Sequence, residues 1–376
     1  MSKTLRLLYL TFCITALAAC QPARQETTEG GDTIPMAYAK NITMVRHDGF
    51  TLVSLRNPWD TTAVLHQYAL TDEEGRHNPA IPSTATIVKV PLSKAAVFTA
   101  VHCALLKDLG VEARIGGVAD LEYIYLPFVR EGVKKGHIAD LGKSMEPNME
   151  RVMQLEPDAL MPSPFQNSGG YGRLENIGIP IVECADYMEV SPLAGAEWMK
   201  FYGRLFGVEE RADSLFATIE KEYLSLKATA EQTAHRPTLL VERMSGASWH
   251  MPGGNSTMGI LYHDAGADYL WADTPNSGST PMSFESVFER GLNADFWLLK
   301  YNQDGEMTYE QLEKDNKSYT KFKAFREHRV YGCNTSTTNF YEETPFHPER
   351  LLASLIQIFH PELSVSAKKQ YFCPLK

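Results

Sequence analysis

The stretch VEERADSLFATIEKEYLSLKATAEQ, from Val208 to Gln232, carries a long helical pattern. Apolar residues recur at helical spacing from Ala212 to Leu226, and Pro237 stops the pattern. At 1.5 Å per residue, a helix of about 24 residues spans roughly 36 Å, which is enough to bridge two domains. The stretch therefore predicts a helix that joins two structural units.

Strands and helices alternate on both sides of this helix, as in a parallel sheet. On the amino-terminal side, the buried-strand pattern ATIVKVPL (85–92) precedes Ser93, a good helix N-cap, and the helical pattern KAAVFTAVHCALLKDLG (94–110). On the carboxyl-terminal side, the strand RPTLLVERM (236–244) precedes the loop SGASWHMPGGNS (245–256). The predicted fold class is α/β, with two Rossmann-like lobes built on mostly parallel sheets and a ligand cleft between the lobes.

The same patterns divide the chain into predicted regions. These are a signal peptide at 1–19, a flexible tether at 20–35, an amino-terminal lobe at 36–190 with an extra β-hairpin at 42–70, a helical segment at 191–235 that contains the interlobe helix, and a carboxyl-terminal lobe at 236–376.

The first residues have the pattern of an export signal. Lys3 and Arg6 precede an apolar run, Leu7 to Ala16, that is too short to span a membrane. The run ends in LAAC (17–20), which resembles the bacterial lipoprotein cleavage box and so implies that Cys20 is lipidated. The alternative is an ordinary cleavage site with an incidental cysteine. Acyl chains on Cys20 would anchor the protein to a membrane, on its periplasmic or cell-surface side.

Charge and cysteine content exclude some classes of protein. A formal net charge of -10 and a pI near 5.6, with no Lys/Arg cluster, argue against a nucleic-acid partner. Cys103, Cys184, Cys333 and Cys373 form no CxxC pair, so they do not indicate a zinc or redox site. They allow three disulfide pairings, among which the sequence does not choose, and we predict none.

Catalytic motifs are absent from the sequence: it contains no GxSxG, HExxH, GxxxxGK[ST] or post-strand GxGxxG. The Gly-rich MPGGNSTM (251–258) leads into a helical pattern. Its backbone N–H groups suit either an anion site or a tight strand-to-helix turn. We predict that the protein is not an enzyme and carries no cofactor or metal of its own.

Aromatic and polar residues recur near predicted strand ends, where open α/β sheets place ligands. Each alone fits packing as well as ligand contact, but together they predict the two walls of a cleft. The candidate ligand-binding residues are Ser93, Lys94, Tyr123, Tyr125, Phe165, Gln166, Trp249, His250, Lys300, Tyr301, Asn339 and Tyr341, with Trp59 reaching the cleft from the amino-terminal extension.

Five motifs, in order along residues 85–365, resemble one family. They are DLGKSMEPNMERVMQLEPDAL (140–160), LENIGIPIVE (174–183), GRLFGVEERADSLF (203–216), WHMPGGNSTMGILYHDAGADYL (249–270) and FHPERLLASLIQIFHPEL (346–363). The chain resembles the helical-backbone (class III) solute-binding lipoproteins that deliver ferric siderophores, haem or cobalamin to ABC importers. The resemblance implies a monomer that binds a small metal chelate and the transmembrane subunits of an importer.

Two glutamates occupy matching places in the motif PNMERV and its echo SFESVF. The resemblance implies that Glu150 and Glu285 dock against basic residues of the importer, one from each lobe. Two carboxylates on the rim would fix orientation and speed encounter. The alternative is that each glutamate only stabilises a helix N-terminus through the helix dipole.

Other functions remain as alternatives at this point. The first is a cobalamin receptor of the same class. The second is a chelatase-like enzyme on a related two-lobed architecture, for which His250 and His263 are the tempting pair. The third is a lipoprotein that only scaffolds other envelope proteins and binds no small ligand.

Overall fold

The computed structural model describes residues 30–60, 63–165 and 170–376. The predicted signal peptide, Cys20, most of the predicted tether and Gln166 lie outside the described residues. Within the described ranges, no helix is long and apolar enough to cross a membrane.

An amino-terminal sheet of five strands precedes the α/β lobes, in the order β1-β2-β3-β4-β5. Neighbouring strands are antiparallel except β4 and β5, which are parallel. The strands are β1 Asp32–Ile34, β2 Ile42–His47, β3 Phe50–Arg56, β4 Val64–Thr71 and β5 Thr86–Lys89. The predicted hairpin at 42–70 is therefore part of a larger sheet. The predicted strand 85–92 contains β5, which is the edge strand of this sheet. It pairs with β4, whose last four residues are buried.

The first α/β lobe contains a parallel sheet in the order β11-β6-β7-β8. Its strands are β6 Ala95–Val97, β7 Ile115–Val118, β8 Ala139–Asp140 and β11 Ala159–Met161, with a small antiparallel pair, β9 Gly142–Lys143 and β10 Glu146–Pro147. Its helices are α1 Ala100–Asp108, α2 Pro127–Lys134 and α3 Met149–Leu155. The prediction of a helix from residue 94 was wrong for its first residues, because Ala95–Val97 form β6 and the helix begins at Ala100. β6 is fully buried on both faces, and such a central strand does not alternate apolar with polar residues.

The segment between the lobes is helical, as predicted. It comprises α4 Pro192–Glu197, α5 Met199–Leu205 and α6 Glu209–Ala230. The 22-residue α6 buries one stripe, which includes Phe216, Ile219 and Tyr223. The stripe follows the periodicity that predicted the helix.

The second lobe repeats the architecture with a sheet in the order β15-β12-β17-β18-β19, parallel except for the last pair. Its strands are β12 Thr238–Val241, β15 Asp268–Tyr269, β17 Phe296–Tyr301, β18 Val330–Asn334 and β19 Cys373–Pro374, and a separate antiparallel sheet contains β13 Met244–Ser245, β14 Ser248–Pro252 and β16 Ser279–Met282. Its helices are α7 Thr257–Asp264, α8 Phe284–Gly291, α9 Tyr309–Asp315, α10 Lys323–Arg326, α11 Phe340–Glu343 and α12 Pro348–Phe359. The predicted α/β class with two lobes is confirmed.

Two carboxylates, Glu197 in α4 and Glu189 just before α4, bind the segment that joins β1 to β2. The fully buried Glu197 accepts hydrogen bonds from the backbone N–H groups of Ala37, Tyr38 and Ala39, at 2.8, 2.8 and 2.9 Å. Glu189 accepts the next two backbone N–H groups, from residues 40 and 41, at 3.0 and 2.8 Å. Hydrogen bonds to a carboxylate are stronger than those between neutral groups, so five consecutive donors make a firm junction.

The four cysteines in the described part of the chain are free thiols. Cys103, Cys184 and Cys333 are buried, and Cys373 is exposed.

Candidate functional site

The first lobe has a cavity of about 710 Å³ at the carboxyl edge of its parallel sheet. Phe98 and Thr99 follow β6, Asp120 follows β7, and Pro162 and Ser163 follow β11, and all of them line this cavity. Open α/β sheets bind ligands at this edge because loops from several strands converge there.

The second lobe has a cavity of about 540 Å³ at the corresponding edge. Glu242 and Arg243 follow β12, and Lys300 comes from the end of β17. The Ser256 hydroxyl caps α7 by accepting from the N–H of Gly259 at 3.1 Å. The predicted Gly-rich turn therefore borders this cavity, and its cap position is already filled by a side chain.

Tyr187 connects the two cavities. Its side chain is 55% exposed and lines the second cavity, while its hydroxyl donates a hydrogen bond to the Pro164 carbonyl. Pro164 lies between Ser163 and Phe165, which line the first cavity. Tyr187, from the lining of the second cavity, therefore contacts the wall of the first cavity, and the two cavities together are called the interlobe cleft below.

A buried polar chain lies behind the wall of the first cavity. The His102 ring, 2% exposed, contacts the Thr99 hydroxyl through Nδ1 and the Asp186 Oδ1 through Nε2 at 2.7 Å. The hydroxyl of Tyr202 donates to the same Asp186 oxygen at 2.5 Å. No local sequence pattern indicates this pair, because Asp186 lies 84 residues away from His102 in the chain.

Charge stabilises this chain of groups. Burial disfavours the imidazolium, but the Cys184 side chain and the Asp186 carboxylate outweigh burial and raise the pKa of His102 to about 10. Burial also opposes ionisation of Asp186, yet His102 and the Tyr202 hydroxyl lower the pKa of this carboxyl below its ordinary value. The two shifts agree on a buried ion pair.

A second buried carboxyl lies near the same cavity. Glu183 accepts a hydrogen bond from the hydroxyl of Tyr171, a lining residue, at 3.0 Å through Oε1. Its Oε2 has no hydrogen-bond partner among the described residues and lies 3.7 Å from His66 Nδ1. Burial raises the pKa of Glu183 above its ordinary value.

The second cavity contains a partly buried ion pair between Lys300 and Glu242, whose side chains are 15% and 19% exposed. Glu242 has a left-handed backbone with φ 61°, an uncommon conformation for a residue with a side chain. Burial lowers the pKa of Lys300, but the carboxylate of Glu242 more than compensates and leaves the pKa raised. Glu242 was not among the predicted site residues, although its position directly after the buried strand β12 could have indicated it.

The structure brings four of the predicted ligand-binding residues to the interlobe cleft. Phe165 lines the first cavity, and His250, Lys300 and Tyr341 line the second. Phe165 and Tyr341 are 39% and 57% exposed, so both present aromatic surface to the cleft.

Two predicted residues lie at the wrong end of the sheet. Ser93 and Lys94 precede β6 instead of following a strand of this sheet. Their backbone N–H groups donate to Asp158 at 2.6 and 2.8 Å, and Lys94 Nζ donates to the Leu155 carbonyl at 2.8 Å. Because β6 begins directly after them, they lie at the amino edge of the sheet, whereas the cleft lies at the carboxyl edge.

Two other predicted residues are part of the hydrophobic core. Trp249 is fully buried in β14, donates from Nε1 to the Val241 carbonyl at 2.9 Å and stacks on Trp297 at 5.9 Å. Tyr301 is 8% exposed, and its hydroxyl accepts from the Met307 N–H at 3.1 Å.

The described lining of the two cavities does not include four further predicted residues. Trp59 lies in the turn after β3. Tyr123 and Tyr125 follow β7, but their rings lie near Lys143 Nζ at 5.9 Å and Arg130 at 5.3 Å. Asn339 has φ 50° and precedes α11.

Glu150 and Glu285 have matching surroundings. Each is exposed in the first turn of a helix, α3 or α8. Each helix is capped by a side chain, from Asn148 or Ser283, that accepts a backbone N–H three residues ahead, at 3.1 and 3.2 Å. The caps therefore supply the side-chain hydrogen bond at each N-terminus, and both glutamate carboxylates remain exposed to solvent.

His250 and His263 do not form a pair. His263 is 62% exposed at the carboxyl end of α7, where its ring lies 3.3 Å from Asp264, whereas His250 lines the cleft. Among the described residues, no group of three or more His, Cys, Asp or Glu side chains is placed to hold a metal ion.

The profile of the periplasmic binding protein family matches residues 96–337, and the chain belongs to this family. The match confirms the predicted family of solute-binding proteins. The matched region contains the described lining of the interlobe cleft except Tyr341, and it leaves the amino-terminal sheet outside.

Individual relatives are distant. An uncharacterised lipoprotein of Methanocaldococcus jannaschii is 24% identical over 297 residues, covering 76% of this chain and 69% of the relative. A periplasmic haem-binding protein from Pseudomonas aeruginosa has a similar structure, with a TM-score of 0.57, 18% identity and coverage of 76% of this chain and 98% of that one. A structure from an ABC-type Fe3+-hydroxamate transport system of Saccharomonospora viridis gives a TM-score of 0.54, 18% identity and coverage of 72% and 94%. At these identities the solved structures establish the fold.

Proposed function

We propose that this protein is the solute-binding component of an ABC import system and that it captures an iron complex, a ferric siderophore or haem, in the interlobe cleft. The observation that carries the proposal is the contact of Tyr187, which lines the second cavity, with the wall of the first cavity. Each cavity falls within the range of about 300–1,000 Å³ that is usual for small-molecule sites.

The surface of the cleft suits such a ligand. Phe165, Tyr187 and Tyr341 expose 39%, 55% and 57% of their side chains along it. Exposed aromatic rings provide large, rigid contact area for a planar or apolar ligand. The structural neighbours from P. aeruginosa and S. viridis, which bind haem and belong to a hydroxamate transport system, support the same ligand class.

Spectral titration of the purified protein tests the ligand class. The probes are haemin, a ferric trihydroxamate and cyanocobalamin, followed by ligand absorbance and tryptophan fluorescence. We expect saturable one-to-one binding of haemin or the ferric trihydroxamate. Binding of cyanocobalamin alone would establish the cobalamin alternative, and binding of none of the three would overturn the proposal.

A matched pair of variants locates the site. Tyr187→Ala removes the ring at the junction of the cavities and should weaken binding about fivefold or more. Tyr123→Ala removes a ring that is 67% exposed outside the described cavity lining, and it should leave affinity unchanged. Equal effects of the two variants would place the ligand elsewhere.

Delivery to the importer is assigned to Glu150 and Glu285. Both carboxylates are exposed, and they occupy the same position on equivalent helices of the two lobes. Paired charges on two lobes fix the orientation of a receptor on its partner and accelerate encounter. This geometry supports docking through both lobes by a single copy of the chain.

Membrane attachment is assigned to a lipid on Cys20. The LAAC sequence supports it, and so does the description of the M. jannaschii relative as a lipoprotein. The test is the mass of the mature protein recovered from membranes. Recovery of an unmodified, membrane-free protein from cells that make the full chain would contradict this assignment.

A further inference from the structure

Thr99 occupies an unusual position at the wall of the first cavity. It is the N-cap residue of α1, where a threonine hydroxyl commonly accepts a hydrogen bond from the helix backbone. In the described structure, this hydroxyl makes no capping bond and instead contacts Nδ1 of His102. Thr99 is partly exposed and lines the cavity, so its side chain lies between the buried ring and the cavity.

The direction of the Thr99 proton follows from the partners behind it. The Tyr202 hydroxyl and His102 Nε2 both reach the same oxygen of Asp186, at 2.5 and 2.7 Å, so Asp186 accepts two hydrogen bonds as a carboxylate. An imidazolium carries a proton on each ring nitrogen, and therefore Nδ1 of His102 donates to Thr99. The Thr99 oxygen is then an acceptor on its buried side, and its own proton is free to point into the cavity.

The opposite protonation state would give the opposite result. A neutral imidazole with its proton on Nε2 would accept at Nδ1, and the Thr99 proton would point towards the ring. The neighbouring groups decide between the two: Asp186 is 4% exposed and His102 is 2% exposed, and a buried carboxylate needs a charged partner. The rings of Tyr202 and Phe346 lie 4.9 and 5.8 Å from the His102 ring and enclose the pair.

We infer that Thr99 is a specificity-determining hydrogen-bond donor for an anionic oxygen of the bound solute, and that His102, Asp186 and Tyr202 are positioning residues that hold its hydroxyl in the donating direction. This inference rests on the proposed function, since it concerns the same cleft. The chemical class that it selects is a chelate with a carboxylate, phenolate or hydroxamate oxygen at its edge. A donor in a partly enclosed site discriminates between an anionic oxygen and its uncharged ester, because hydrogen bonds to charged groups are stronger.

The test compares haemin with haemin dimethyl ester, which lacks the free carboxylates. Thr99→Val keeps the side-chain shape and removes the hydroxyl, and it should weaken haemin binding about fivefold to tenfold while changing ester binding less than about twofold. Thr99→Ser keeps the hydroxyl and is the control, with wild-type preference for haemin over the ester. Equal losses in Thr99→Val and Thr99→Ser, or loss of both ligands together, would overturn the inference.

Asp186→Asn tests the positioning role. It removes the charge that keeps His102 protonated, so the Thr99 proton should turn towards the ring and the preference for haemin should fall to that of Thr99→Val. A merely structural role of Asp186 would weaken both ligands equally, and that result would overturn the role assigned to it. If the wild type binds a ferric trihydroxamate and not haemin, the same variants are compared with that probe. A wild-type protein that binds neither probe would overturn the proposed function itself, whereas binding with unchanged selectivity in Thr99→Val overturns only the inference.

Discussion

Asp158 and Asp295 make the same contact in the two lobes. Asp158 accepts from the Ser93 N–H and hydroxyl at 2.6 and 2.7 Å, and Asp295 accepts from the Thr238 N–H and hydroxyl at 2.9 and 2.7 Å. The N–H of each aspartate in turn donates to a backbone carbonyl, that of Lys94 just before β6 at 2.7 Å and that of Thr238 in β12 at 3.0 Å. Each aspartate precedes the strand next to the first strand of its sheet, so the lobes repeat one construction at their amino edges.

Replacing Asp295 should destabilise the protein in a pH-dependent way. Burial opposes its ionisation, but Lys323 and Thr238 lower the pKa of Asp295 to about 2. A carboxyl with a lowered pKa in the folded state contributes stability above its unfolded pKa of about 4, and the contribution is lost as pH falls towards 2. Asp295→Asn should therefore cost about 2 kcal/mol near pH 7 and progressively less below about pH 4, measured by urea unfolding. The exposed Asp304→Asn is the control, and an equal cost at both ends of the pH range would contradict the prediction.

Replacing Glu183 should change the free energy of unfolding in the opposite direction, by stabilising the protein at high pH. Burial raises the pKa of this carboxyl, so its ionisation costs stability as pH rises above the unfolded value of about 4.3. Glu183→Gln keeps an oxygen for the Tyr171 hydroxyl and removes the charge. We expect Glu183→Gln to gain up to about 1 kcal/mol near pH 8 and little near pH 4, by the same unfolding measurement. A loss of stability near pH 8 would show that the charged form is needed.

The Lys300–Glu242 pair predicts an asymmetric response to substitution. Lys300→Met leaves the carboxylate of Glu242 buried without its cation, which should cost about 2–4 kcal/mol. The double variant Lys300→Met with Glu242→Gln removes both charges and should recover more than half of that loss. Lys314→Met, on the exposed surface of α9, should change stability by less than about 0.5 kcal/mol. Additive losses in the double variant would mean that the two residues do not interact.

The docking pair is tested by charge reversal. Glu150→Lys combined with Glu285→Lys should abolish solute uptake by the importer and leave solute affinity within about twofold of wild type, because both residues lie outside the described lining of the cleft. Each single reversal should give an intermediate loss. Glu289→Lys, also exposed on α8, is the control. Loss of solute affinity with importer binding intact would overturn the assignment.

The sequence predicted the elements whose patterns are local. The stripe of α6 repeats at helical spacing, and the alternation of strands and helices on both sides was enough to predict two α/β lobes. The strand at Ala95–Val97 was predicted as helix because its alanines favour helix when taken alone. Its central place in a sheet, buried on both faces, overrides that preference.

The candidate site was predicted in part, and most directly where a residue follows a strand that the sequence identifies. Lys300 follows directly from the apolar run of β17, and it reaches the cleft. Trp249 was predicted to lie in a loop, but it belongs to β14. Successive side chains of a strand point to opposite faces, so Trp249 points into the core and His250 points outward. The chain from Thr99 to Asp186 depends on a contact between distant segments, which no local pattern shows.

The junction at Glu197 and Glu189 determines how a load on the amino terminus reaches the rest of the molecule. Residues 37–39 are bound to Glu197 in the helical segment between the lobes, whereas residues 40 and 41 are bound to Glu189, which lines the second cavity. A pull on the amino-terminal sheet is therefore shared by five hydrogen bonds that end at two different places, the connection between the lobes and the wall of the cleft. Whatever holds the amino terminus is thus mechanically linked to the binding surface through Glu189.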